Sequence, residues 1–184
     1  MKIVRKKLCC EDSWVAFDEA VEKAQWVGKK VVFPLEHFVN DKSILSLVKA
    51  SAGEAAVEVV GTDKIGDISQ FFPDVSMIVV KFPRFQDGRG FSLARQLRQA
   101  GYRGCLRLIG AIIPDQVGIA YACGFDEIGL TNQQISQKPL QQWVRGAEFF
   151  AQGYQPTCFE DNIIARRGRS LAEEYRKEES PVKK

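Results

Sequence analysis

A chain of 184 residues with 45% apolar content is long enough for one domain with a sizeable core. Its net charge of +3, with no lysine and arginine stripe interleaved with aromatics, argues against a nucleic-acid binder. No apolar run approaches the ~18 residues of a membrane span, and the basic N-terminus lacks the apolar segment of a signal peptide, so the expected location is the cytoplasm.

Before Lys29 the pattern predicts an extra strand, Lys2 to Leu8, and a helix, Ser13 to Trp26. Val31 to Leu35 is a short apolar run and reads as a strand. Asn40 or Asp41 can cap a helix that carries Ile44, Leu45, Leu47 and Val48 on one side and stops at Gly53. Ala56 to Val60 follows as a strand, then a weaker helix from Ile65 to Phe72, closed by Pro73. Met77 to Val80 is an uninterrupted apolar run, the mark of a strand covered on both faces.

Leu93, Leu97 and Ala100 recur at helical spacing, and Gly101 supplies the stop. Cys105 to Ile109 is the next strand. Pro114 suits the first position of a helix, where its missing N–H would be unpaired anyway, and Asp115 favours that end electrostatically. Val117, Ala120 and Tyr121 make the inner face, and Gly124 can take the left-handed cap with Phe125 packing back. Glu127 to Leu130 is a further strand, and Leu140, Trp143, Val144, Ala147 and Phe150 define a last core helix, ended by Gly153 and Pro156.

About five βα units with short connections imply an α/β fold with a mostly parallel sheet. A flavodoxin-like open sandwich fits best, with a partial (β/α) barrel as the alternative. The expected organisation is an extension over 1–28, an α/β core over 29–155 and a charged, solvated tail over 156–184.

Cys9, Cys10, Cys105, Cys123 and Cys158 are odd in number and scattered, unlike a disulfide framework. Cys9-Cys10 lacks the two-residue gap of a redox or zinc motif, and His37 is the single histidine, so no metal site is expected. His37 at a strand end is a candidate acid–base group, or a structural histidine. Cys123 at a helix end suits a buried small apolar residue better than a reactive thiol. No flavin, nicotinamide, haem, sirohaem or iron–sulfur signature is present, so no cofactor is evident.

The candidate site lies where a strand meets a helix. In Asp87-Gly88-Arg89-Gly90 the glycines let backbone N–H groups approach a ligand, and Arg89 can fork onto phosphate, sulfate or carboxylate. Ser92 adds a hydroxyl or caps the helix. The competing reading is a tight turn locked by an Asp87–Arg89 or Asp87–Arg95 ion pair. Arg107 within the next strand, and Asp115-Gln116 opening the next helix, face the same loop if the two strands are neighbours; they then form a polar site or an internal salt-bridge network. The candidate ligand-binding set is Asp87, Arg89, Ser92, Arg95, Arg107, Asp115 and Gln116.

Two long segments carry a family resemblance: Phe82-Pro83-Arg84-Phe85-Gln86-Asp87-Gly88-Arg89-Gly90-Phe91-Ser92-Leu93-Ala94-Arg95-Gln96-Leu97-Arg98, and Leu106-Arg107-Leu108-Ile109-Gly110 through Asp115-Gln116 to Cys123-Gly124-Phe125-Asp126. From Val31 to Phe150 the chain resembles the bacterial domain of unknown function 934. The resemblance implies an oxidoreductase-associated or accessory role in sulfite reduction within sulfate assimilation, with sulfite reductase or another enzyme of that route as partner. It departs from the family at Ala111, where the family has Asp, and at Pro114, where it has Arg. Two other readings stand beside it: a stand-alone enzyme on a small phosphorylated or carboxylated metabolite, and a non-catalytic protein-interaction domain.

Overall fold

The computed structural model describes residues 1–5, 8–18, 28–40, 46 and 53–149. The chain starts with β1 (Lys2–Arg5), β2 (Leu8–Glu11), β3 (Trp14–Ala16) and β4 (Lys30–Pro34). Then come α1 (Leu35–Asn40), β5 (Glu54–Val60), α2 (Ile65–Ser69), β6 (Met77–Phe82) and α3 (Arg89–Gln99). It closes with β7 (Cys105–Gly110), α4 (Gln116–Ala122), β8 (Glu127–Leu130), α5 (Asn132–Gln137) and α6 (Leu140–Phe149). No helix among the described residues is long and apolar enough to cross a membrane.

All eight strands join one sheet in the order β2-β1-β8-β7-β6-β5-β4-β3. From β3 to β8 the pairs are parallel, whereas β1 runs antiparallel to both β2 and β8. The sheet therefore exceeds the five strands expected. Its parallel strands lie in consecutive order, so right-handed crossovers bring the connecting helices α1 to α4 to one face. A flavodoxin-like sheet reverses direction and is covered on both faces; the order here is that of a segment of a (β/α) barrel.

Chain connectivity enforces curl. β2 and β3 are the two edges of the sheet, yet only Asp12 and Ser13 separate them. Glu11 and Trp14 thus lie at most about 11 Å apart, and the sheet bends into a half-barrel to bring its edges together.

Alternation along the strands divides two cores. Val31, Phe33, Val57, Val59, Ile78, Val80, Leu106, Leu108 and Ile128 face the helices and pack against Phe38, Ile68, Leu93, Leu97, Val117, Ala120 and Trp143. On the inner face, which no described helix covers, lie Ala56, Met77 and Val79, with Trp14, Val32, Cys105 and Ile109 beside them.

The helix stops follow from glycine. Gly101 and Gly124 have φ of 96° and 101°. After α3 the Tyr102 N–H donates to the Leu97 carbonyl and Gly101 N–H to Arg98; after α4 Phe125 N–H donates to Ala120 and Gly124 N–H to Tyr121. Both are Schellman endings, which satisfy carbonyls left over by the helix.

The N-terminal expectations need correction. Lys2 to Leu8 is not one strand but a hairpin of β1 and β2, and Trp14–Ala16 is a strand rather than the start of a helix, because it pairs with β4. Residues 19–27, most of the helix expected after Asn40, and the tail lie outside the described residues. α5 was not expected, although Thr131 and Gln134 spell its capping box.

Candidate functional site

Phe82 ends β6, and residues 83–88 lead into the first turn of α3 at the carboxyl edge of the sheet. This is the edge at which parallel α/β sheets bind ligands. Arg89 donates from Nε to Asp87 Oδ1 at 2.8 Å and from Nη2 to Asp87 Oδ2 at 2.7 Å, and its backbone N–H also reaches Oδ1 at 3.2 Å. The Arg89 side chain is 63% exposed while Asp87 is 17% exposed, so the pair presents its guanidinium outward. Hydrogen bonds from Arg89, with its charge and that of Arg84, lower the Asp87 carboxyl to a pKa of about 2. Asp87 in turn raises that of Arg89. The turn-locking partner is thus Arg89; two of the five guanidinium N–H groups are engaged by Asp87, and three are not.

Glycine decides how this loop packs. A Cβ on Gly90 would stand 2.4 Å from the Phe82 ring, and one on Gly61 would stand 2.7 Å from the Gly90 nitrogen. The start of α3 therefore sits directly on the end of β6 and on the turn after β5. Phe82, Phe91 and Phe125 form an aromatic trio beneath it, with the Phe82 and Phe91 centroids 4.8 Å apart. Gly110 takes φ 102° so that its backbone can pass Phe82, and Ala111 N–H donates to the Phe82 carbonyl at 2.8 Å.

Gln116 joins the two loops. Its Nε2 donates to the Phe85 carbonyl at 2.8 Å, and its Oε1 accepts from Ile113 N–H at 3.2 Å. Asp87, Arg89 and Gln116 are therefore gathered at one edge. Ser92 and Arg95 are exposed along α3, and Ser92 does not cap it, because Gly88 is the N-cap residue. Asp115 is exposed at the N-cap of α4 and makes no capping bond there. Pro114, the site of one family departure, packs its carbonyl against Gly146 of α6.

Arg107 is not part of this edge. β6 and β7 are neighbours, but Arg107 sits opposite Val79 in mid-strand, on the inner face, and is 2% exposed. Its Nε donates to Glu127 Oε1 at 2.6 Å and its Nη1 to Asp12 Oδ1 at 3.0 Å. Arg5 Nε donates to Glu127 Oε2 at 2.5 Å. Arg107, Glu127 and Asp12 thus meet inside the curl, and Arg5, 58% exposed, joins them from its rim. Cys105, two residues away, has its thiol pKa pushed up to about 12 by burial and by the charges of Glu127 and Asp126.

Sequence reasoning missed Asp12, Glu127, Arg98 and Asp126. Arg98 bridges the opposite end of the sheet: Nε donates to the Gly124 carbonyl, Nη1 to those of Tyr102 and Gly104, and Nη2 to Asp126, which also accepts from Leu106 N–H at 2.8 Å. Both residues stood in the motif segments, where only glycine and loop chemistry drew attention. His37 lies in α1 with its ring 4.4 Å from that of Phe17. Cys123 is buried, and Cys9 and Cys10 are exposed. A cleft of about 490 Å³ opens at the ends of β4 and β5, among Leu35, Val39, Glu58, Asp63 and Asp67. Among the described residues no group of three or more His, Cys, Asp or Glu is arranged to hold a metal.

Residues 56–164, more than half of the chain, match the family described as a bacterial protein of unknown function, DUF934. The chain belongs to the DUF934 family. No curated protein matches it. In this DUF934 protein the matching region takes in the Asp87–Arg89 loop, Gln116, the Arg98–Asp126 clamp and the Arg107–Glu127 pair, while Arg5 and Asp12 lie outside it.

Proposed function

We propose that this DUF934 protein serves sulfite reduction in sulfate assimilation as an accessory protein that binds a small oxyanion at the Arg89 loop. The observation that carries the reading is the outward-facing Arg89 guanidinium, held in place by Asp87 at the first residue of α3. A pre-oriented guanidinium loses little freedom on meeting an anion, and the helix N-terminus adds a favourable field. Gln116 holds the neighbouring loop in register, and the Gly90–Phe82 contact fixes where the helix begins. The link to sulfite reduction comes from the family resemblance of the two motif segments.

A second reading has its own support. Phe85 and Ile113 are 50% and 41% exposed on the two loops that Gln116 joins. Exposed aromatic and aliphatic side chains next to arginine suit a protein contact, so the same edge is a candidate surface for docking on a reductase.

Thermal unfolding of the full chain with sulfite, sulfate and phosphate tests the first reading. A ligand at 100 times its dissociation constant adds about 2.7 kcal/mol of stability. A saturable shift that Arg89→Ala abolishes is expected; equal behaviour of wild type and variant sinks the anion reading. Retention of sulfite reductase by the wild type and its loss in Phe85→Ser would then favour docking.

A further inference from the structure

The cluster inside the curled sheet is built like an occupied binding site. Arg107 and Glu127 are buried charges on adjacent strands. Glu127 is shared between two guanidiniums, one oxygen to Arg107 and the other to Arg5. The Arg107–Glu127 pair is buried, and the surplus positive charge of the three groups falls to Arg5, whose side chain is 58% exposed to water. Arg107 has further guanidinium N–H groups besides the one that meets Glu127, and burial makes them costly to leave unpaired.

The second carboxylate that meets Arg107 does not come from a strand. Asp12 lies in the two-residue link between β2 and β3, where the two edges of the sheet approach, and reaches Arg107 from 95 positions away in sequence. Its Oδ1 accepts from Arg107 Nη1 at 3.0 Å and from Trp14 N–H at 3.1 Å. The cationic wall is rigid sheet, and the anion is delivered on a connecting loop.

We propose that Arg107 forms an oxyanion site inside the half-barrel, with Arg5 at its rim on the shared Glu127, and that the Asp12 carboxylate occupies it in place of a small carboxylate or sulfur oxyanion. A free ligand competes with a carboxylate tethered at an effective concentration in the millimolar range or above, which holds back its apparent affinity. Binding then displaces the β2–β3 link from the mouth of the curl. This site is distinct from the Arg89 loop and does not rest on it.

Removing the tethered occupant exposes the site to test. Thermal unfolding of full-length Asp12→Ala is followed with formate, acetate or sulfate, against chloride at matched ionic strength. Asp12→Ala is expected to unfold at lower temperature than wild type, and formate or sulfate to restore the loss saturably. Wild type and Asp12→Asn, whose side chains still fill the position, are expected to respond no more than they do to chloride. Arg5→Ala on the Asp12→Ala background is expected to raise the dissociation constant for the anion about 10-fold. If Asp12→Ala does not fold, Asp12→Ser carries the same comparison. Restoration no larger than the chloride effect overturns the proposal. So does restoration that disappears on adding Arg89→Ala, because the anion would then be acting at the surface loop.

Discussion

The Asp87–Arg89 pair and the Arg107–Glu127 pair are the same chemistry in opposite surroundings. Arg89 is 63% exposed and Arg107 is 2% exposed. At the surface, water screens the pair and would solvate either partner alone, so it contributes little stability and its guanidinium remains available to a ligand. In the interior neither partner has water to fall back on, so the loss of one leaves the other charged and dry. Burial, not residue type, separates an arginine that turns toward solvent from one that is held by internal carboxylates.

The sharpest way to test that contrast is to remove Glu127. Glu127→Ala leaves Arg5 and the Arg107 Nε without their carboxylate, and is expected to cost about 3–5 kcal/mol in urea unfolding. A loss as small as that of a surface pair would mean that the inner face is wet.

Glycine gives an intermediate effect within the exposed loop. Gly90→Ala places a Cβ 2.4 Å from the Phe82 ring and is expected to cost about 1–3 kcal/mol. Gly88→Ala meets nothing within 4 Å at a φ of −74°, and is expected to be neutral or to stabilise by up to about 1 kcal/mol. Equal destabilisation by both would show that the loop does not sit on Phe82 as described.

The smallest effect belongs to Arg89→Ala, whose unfolding midpoint is expected to stay close to wild type. Its signature is in titration. The folded Asp87 pKa lies below its unfolded value, so its contribution is present above the ordinary carboxylate range near 4 and fades as pH falls through about 2. Carbon-detected NMR of the Asp87 carboxyl is expected to show an inflection near 2 in wild type and near the ordinary value in Arg89→Ala. An unchanged inflection would assign the depression to something other than Arg89.

Local signals carried much of the fold. The strands from Val31 to Leu130 were legible because apolar runs of strand length mark segments covered on both faces, as Met77–Val80 illustrates. The ends of α3 and α4 were legible because Gly101 and Gly124 accept a left-handed backbone that other residues resist. The Asp87–Arg89 turn was one of the readings offered by four adjacent residues. Trp14–Ala16 failed because its strand conformation comes from pairing with β4, a partner that no local pattern names.

The sequence alone determined the α/β alternation, the glycine stops and the loop bearing Arg89, since each depends on neighbours within a few residues. Tertiary structure decided the strand order, the curl and the fate of Arg107. Strand alternation tells which residues share a face, but not which face the helices cover; only the consecutive strand order turned Arg107 inward. Its partners Glu127 and Asp12 stand 20 and 95 positions away, and separations of that kind are closed by the path of the whole chain.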